Sequence, residues 1–289
     1  MAMNRYKASA THFTISAMVI AVFFAIVFFV WYPMPYFYIE GTLDVIIVLV
    51  GVDVVLGPLL TLIVFKPNKP SLKFDLSVIA LIQISALLYG ANTIYSERPY
   101  FVAFAVDRFI IVHATDVKKM DLSLINPKIN YHQLGPSYVY AENPTDPAVK
   151  SKILEGVLAG GPDIDHQPEL YRDFKTSIPQ SFSRSLELDK LAKQYPGNQT
   201  IIDAFRKKHP NAESFALYPL AGKHSDVVLV LDKTNAEIID YIDINPWNVL
   251  KQTAPHQPEQ VDLEEMLKFK APDENSPLKG LPGAPFSND

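Results

Sequence analysis

The sequence predicts a membrane α-helical fold: three transmembrane helices with a cytoplasmic N-terminus, followed by a small periplasmic α+β domain and a Pro-rich tail. Three observations predict it. The stretch from Ala8 to Ile39 contains no Asp, Glu, Lys or Arg, and two further apolar stretches follow before residue 96. Charge then divides sharply, with 6 of the 26 Lys and Arg and 5 of the 31 Asp and Glu in residues 1–99, so that residues 100–289 carry a net −6. Beyond residue 99 the apolar residues come in short β-branched and aromatic runs rather than long ones.

The first apolar segment spans Phe13 to Val30, long enough to cross the hydrocarbon core as a helix. Arg5 and Lys7 before it also fit a cleavable signal peptide. The run ends, however, in Trp31-Tyr32-Pro33-Met34-Pro35 rather than in small residues, so an uncleaved anchor with an aromatic belt at the membrane surface is expected. The second segment, Leu43 to Phe65, is 23 residues long and contains Asp44 and Asp53. The third, Leu76 to Ile94, is uncharged, with Gln83, Ser85 and Asn92 as its polar points. Basic residues lie in the N-terminal tail (Arg5, Lys7) and between the second and third segments (Lys66, Lys69, Lys73), and none lies between the first and second. The positive-inside rule therefore places the N-terminus and the loop between the second and third segments in the cytoplasm and everything past residue 96 outside, which in a bacterium is the periplasm.

The runs 100–106 and 109–113 are too short to span and read as a strand pair. Loops are expected from Asn126 to Pro147, and Pro162, Pro168 and Pro179 break the region beyond. Ser183–Tyr195 and Thr200–Lys208 read as helices. The runs 214–220, 227–231 and 237–242 read as strands, the last two joined as a hairpin across Asp232–Ala236. The division expected is 1–96 in the membrane, 97–247 as the periplasmic domain, and 248–289 as a loose Pro-rich tail.

Composition excludes several functions. There is no cysteine, hence no disulfide, thiolate metal site or cysteine nucleophile. No basic stripe marks a nucleic-acid surface. No pair among the seven histidines has metal-ligand spacing, and no phosphate loop, dinucleotide motif or nucleophile elbow occurs. Asp163 and Asp165 flank Ile164 near His166, a cluster with the donors for a cation that reads more simply as a solvated acidic loop. No catalytic residue, metal or cofactor is expected.

Asp53 carries the most information. A carboxylate at the centre of a membrane helix costs about 2.5–3.5 kcal/mol to insert, so it faces protein, water or a partner. Two readings stand: a functional one, as a contact with a partner helix or a protonatable switch, and a structural one, as an internal hydrogen bond to Gln83 or Ser85. Gly57-Pro58 lies one turn on and removes a backbone donor, which predicts a kink. Ala86 and Gly90 form a small-xxx-small pair suited to close helix packing. Asp53, Gly57, Pro58, Gln83 and Gly90 are the candidate partner-binding residues, while Asp44 lies near the membrane surface.

The run Val52-Asp-Val-Val-Leu-Gly-Pro-Leu-Leu-Thr61, together with Trp31-Tyr-Pro-Met-Pro35, Gln83, Ala86-Leu-Leu-Tyr-Gly90, Arg98-Pro99 and Asp107-Arg108-Phe109, resembles the type IV pilin accessory proteins of the TfpX/TfpZ group. The resemblance covers about the first 120 residues. It implies an inner-membrane, chaperone-like protein that binds the type IV major pilin and promotes or modulates pilus assembly, with inner-membrane assembly components as further partners. A membrane-anchored periplasmic enzyme acting on the cell envelope or on pilin is the alternative, and a transmembrane sensor a third.

Overall fold

In the computed structural model, residues 4–131, 134–194 and 197–247 are described. The stretch 248–289, read from sequence as a tail, lies outside them. Three long helices carry the apolar segments: α1 (Arg5–Trp31), α2 (Thr42–Val64) and α3 (Leu72–Ser96). Even the shortest, 23 residues, extends about 35 Å at 1.5 Å per residue and is apolar enough to cross a membrane. Asn4 starts α1 by accepting a hydrogen bond from the Lys7 backbone N–H at 2.9 Å. Both α1 and α2 contain a π-helical turn, at Val27–Trp31 and Gly51–Leu56. Asp44 is exposed in the first turn of α2, where the helix dipole favours an acid.

Seven strands among the described residues form one mixed sheet in the order β4-β3-β1-β2-β5-β6-β7. They are β1 (Pro99–Ala105), β2 (Arg108–His113), β3 (Ser137–Ala141), β4 (Tyr171–Asp173), β5 (Phe215–Ala221), β6 (Val227–Asp232) and β7 (Glu237–Ile242). The β1–β2 and β6–β7 pairs are antiparallel hairpins, as the apolar runs predict. β3 and β4 lie in stretches expected to be loops and broken coil. β3 is only five residues long and pairs in parallel with β1, so its stabilising partner is remote in sequence.

Between β3 and β4 runs α4 (Pro147–Leu158), capped by Asp146 on the Ala148 N–H. The helix expected over Ser183–Tyr195 is shorter. Only α5 (Leu188–Gln194) is α-helical, because Leu186 N donates to Leu217 O and the Ser185 hydroxyl accepts from Leu217 N. Those two bonds hold the preceding backbone extended against β5. α6 (Asn198–Lys208) follows.

Every residue of β1 is buried. Alternate side chains explain it, since both faces are covered. Phe101, Ala103 and Ala105 meet Val139, Tyr171 and Ile125 on one face. Val102 and Phe104 meet Phe109, Tyr218 and Leu229 on the other. That second cluster continues into the helices through Tyr32, Tyr36, Phe37 and Ile39 of the α1–α2 connection, reaching Ile20, Leu49 and Ile94. Leu217, Val228 and Val230 take α5 and α6 through Leu191, Ile202 and Phe205. The described residues accordingly form one compact unit.

The α1–α2 connection therefore differs from a simple aromatic belt. Tyr32 is buried and donates its hydroxyl to the Ile94 carbonyl at 2.9 Å, and Trp31 packs on Phe23 and Tyr95. One helical turn, Tyr36–Ile39, then leads to Gly41, whose φ of 68° suits glycine and turns the chain into α2.

Candidate functional site

The residues singled out in the helices form an interlocked set at the middle of α2 and α3. In the π turn Gly57 N–H donates to Val52 O, five residues back. Residue 58 in the same register would donate to the Asp53 carbonyl, but proline has no N–H. Gln83 Nε2, from α3, supplies the donor to that carbonyl at 3.1 Å. An unpaired carbonyl in an apolar environment costs several kcal/mol, so this one side chain repairs what Pro58 removes.

Gly57 makes the repair possible. A Cβ on residue 57 would lie 2.1 Å from Gln83 Nε2, so only glycine admits the amide. The expected kink at Gly57-Pro58 thus takes the form of a widened turn closed by a side chain from the neighbouring helix. Two turns further along α3, Gly90 meets Leu49, with an added Cβ only 2.6 Å from its Cδ2. Asp53, Gly57, Pro58 and Gln83 are brought together, and Gly90 seals the same helix pair.

Of the two contacts expected for Asp53, Gln83 reaches its backbone and not its carboxylate, and Ser85 is exposed on the opposite side. The Asp53 side chain is 5% exposed, and neither carboxylate oxygen has a hydrogen-bond partner among the described residues. It is enclosed by the bundle.

Sequence reasoning missed α1's share. Ser9 Oγ donates to the Pro58 carbonyl at 2.8 Å, and His12 Nδ1 meets Thr61 Oγ1 at 2.6 Å. The signal was available: Ser9, His12 and Ser16, three and four apart, put isolated polar side chains on one helix face.

A second feature lies where helices and sheet meet. A cavity of about 830 Å³ is lined by Phe29 and Val30 of α1, Pro33, Leu134, and Ile238 and Ile239 of β7. β7 is an edge strand, so its outer backbone is unpaired within the sheet. Phe29, Leu134 and Ile239 are exposed.

Below the cavity Tyr36 and Tyr138 share a hydroxyl–hydroxyl bond of 2.7 Å. Burial pushes Tyr138 up to about 12 and Tyr36 well above its ordinary value, so both hydroxyls stay protonated and either can donate to the other. Burial also tends to raise Asp240, but Lys208 at 2.7 Å and His209 at 2.8 Å offset it and hold the carboxyl below its usual range. The hydrogen bond from Lys223 likewise lowers Glu97 at the end of α3.

Among the described residues no group of three His, Cys, Asp or Glu side chains is placed to hold a metal ion. Asp163 is engaged in capping Ile164 N, and Asp165 is buried rather than solvated.

A family profile described as Fimbrial assembly protein FimB matches residues 2–41. The fimbrial assembly protein of serogroup I from Dichelobacter nodosus is 31% identical over 250 residues, covering 84% of this chain and 96% of that protein. The serogroup E1 protein of the same organism is 31% identical over 253 residues, with the same coverage of 84% and 96%. The protein of serogroups C1 and C2 is 41% identical over 113 residues, which cover 38% of this chain and 86% of that one. No solved structure gives a significant match.

Proposed function

The chain belongs to the fimbrial assembly protein family, and from that premise we propose that it is a chaperone-like accessory protein of the bacterial inner membrane that binds the type IV pilin subunit and promotes its assembly into pili. The observation that carries this reading is end-to-end similarity, 96% of the length of relatives named for fimbrial assembly.

The geometry supports it. A pilin subunit before assembly presents one apolar helix in the bilayer and a globular head outside it. A helper needs a bilayer-facing surface for the first and an aqueous surface for the second, at matched heights. The bundle offers Val55, Leu56, Leu59 and Leu60 on α2, all exposed, beside the enclosed Asp53 set. The cavity by Phe29 of α1 and Ile239 of β7 is the surface that this reading assigns to the partner's emerging helix. In this reading Asp53, Gly57, Pro58, Gln83 and Gly90 set the shape of the helix face that the partner meets. The Lys and Arg pattern supports a cytoplasmic N-terminus and a periplasmic sheet domain. The role is binding rather than catalysis, and inner-membrane assembly components are further candidate partners.

Site-specific photo-crosslinking in living cells tests it, with probes at Leu56 beside Asp53 and at Ile239 on β7. Crosslinks to the major pilin from both positions are expected. Crosslinks only to other assembly components would make this a subunit of the assembly platform. An absence of any pilus partner from well-expressed protein would return the membrane-anchored enzyme to first place. Asp53→Leu separately tests the intramembrane part, since normal abundance and normal piliation would remove it.

A further inference from the structure

The α1–α2 connection is tied to the sheet by a chain of acids and imidazoles that the assembly role does not require. Glu40, with a side chain only 3% exposed, anchors it. Its Oε1 accepts from the Lys223 backbone N–H at 3.2 Å, and its Oε2 meets His113 Nε2, at the end of β2, at 2.7 Å. His113 Nδ1 turns toward Asp116 Oδ2 at 3.7 Å. His166 reaches the same oxygen from the other side with Nε2 at 3.8 Å, and its Nδ1 lies 3.3 Å from Asp165. The next residues of the connection share the attachment, for the Ile39 carbonyl accepts from His224 N at 2.7 Å and Ser225 N at 3.3 Å.

We propose that Glu40, His113, Asp116, His166 and Asp165 form a pH-sensitive clasp that holds the α1–α2 connection to the sheet tightly in mild acid and loosely in mild base. The proposal rests on this geometry and is independent of the assembly role. The charges decide the sign. Three carboxylates, Glu40, Asp116 and Asp165, surround two imidazoles, and Glu97 at the end of α3 also faces His113.

The fixed cations nearby are committed elsewhere or solvated. Lys223 pairs with Glu97, and Lys119, 3.6 Å from Asp116, is 79% exposed. With both imidazoles neutral the acids repel one another across a partly buried space. With both protonated each imidazolium sits between two carboxylates, where an opposite charge within about 4–6 Å is favourable.

The hydrogen bond to Asp165 and the charges of Asp165 and Asp116, working against burial, raise the pKa of His166. A group whose pKa is raised by folding contributes its stabilisation below its unfolded value, about 6.5 for histidine, and loses it as pH climbs through the folded value. The clasp therefore weakens on the alkaline side.

Hydrogen exchange by mass spectrometry on the full chain in detergent micelles reads this directly, because the Lys223 amide donates to Glu40 and the His224 and Ser225 amides donate to the adjoining Ile39 carbonyl. After correction for intrinsic exchange, their protection is expected to fall severalfold between about pH 6 and about pH 8.5, with β6 unchanged. His113→Gln is expected to leave protection low at both values. His166→Gln, which keeps the Glu40–His113 contact, shrinks the step and covers the case in which the first variant does not fold. Equal protection at both pH values, a step that survives intact in both variants, or a parallel fall in β6 would each overturn the proposal.

Discussion

The helix bundle and the sheet domain turn opposite kinds of side chain outward. Inside the sheet domain lie Phe101, Phe104, Phe109, Val228 and Leu229, with Asp165, Ser181 and Asn198 among them, and most of the charged residues face outward. Inside the bundle lie Asp53, Thr61, Gln83 and Ser16, while Phe13, Ile47, Val48, Leu81 and Leu88 face outward. The outward apolar face fits helices long and apolar enough to cross a membrane. Water drives apolar surface together, which is the main force holding a water-facing sheet. Hydrocarbon gives helices no such drive, and they associate through small residues, close packing and shared hydrogen bonds. Gly57 against Gln83 and Gly90 against Leu49 are that second kind of contact.

The comparison breaks first at Gly57. Gly57→Leu forces Gln83 off the Asp53 carbonyl and overfills the helix contact, a loss expected to exceed about 3 kcal/mol, since smaller overpacking costs 1–3 kcal/mol. Abundance in isolated membranes and thermal unfolding in detergent would show it, and wild-type values for both would refute the interlock.

Next comes the boundary between the two regions. Tyr36→Phe leaves the buried Tyr138 hydroxyl without its partner and should cost about 1–3 kcal/mol. Adding Tyr138→Phe should cost less than the sum of the two single changes. Strict additivity in a double-mutant cycle would mean that the hydroxyls do not interact.

Inside the bundle Gln83→Leu should cost about 0.6–2 kcal/mol, the range for hydrogen bonds between membrane helices. It should also make Gly57→Ala tolerable, because the group that the new Cβ would strike is gone. A Gly57→Ala change equally harmful with and without Gln83 would assign the glycine another purpose. At the sheet surface Lys175 and Glu237 are more than half exposed, and breaking their pair should change stability by less than about 0.5 kcal/mol. A larger shift in the unfolding midpoint would show that β7 depends on its edge charges.

How much of this was legible beforehand follows the same division. The three helices were plain, because a span announces itself through the absence of charge over some twenty residues. The hairpins β1–β2 and β6–β7 were plain because both strands and their turn are contiguous. β3 and β4 were not, since five-residue and three-residue strands take their stability from neighbours far along the chain. In the candidate site, the odd residues of an apolar helix pointed to Asp53, Gly57, Pro58 and Gln83. That Gln83 serves the carbonyl, and not the carboxylate, depends on the π register, which leaves no mark in composition. The Trp31–Pro35 motif suggested a belt, whereas the burial of Tyr32 is decided by α3, more than sixty residues later in sequence.

The inward turn of the α1–α2 connection also sets an order of construction. Tyr36, Phe37 and Ile39 emerge from the ribosome before any strand exists, yet they fill the face on which Phe104, Tyr218 and Leu229 come to rest. For as long as the strands are unmade, that short apolar patch waits at the end of two hydrophobic helices. Whatever mislocates the first sixty residues therefore also takes from β1, β5 and β6 a part of the surface on which they pack.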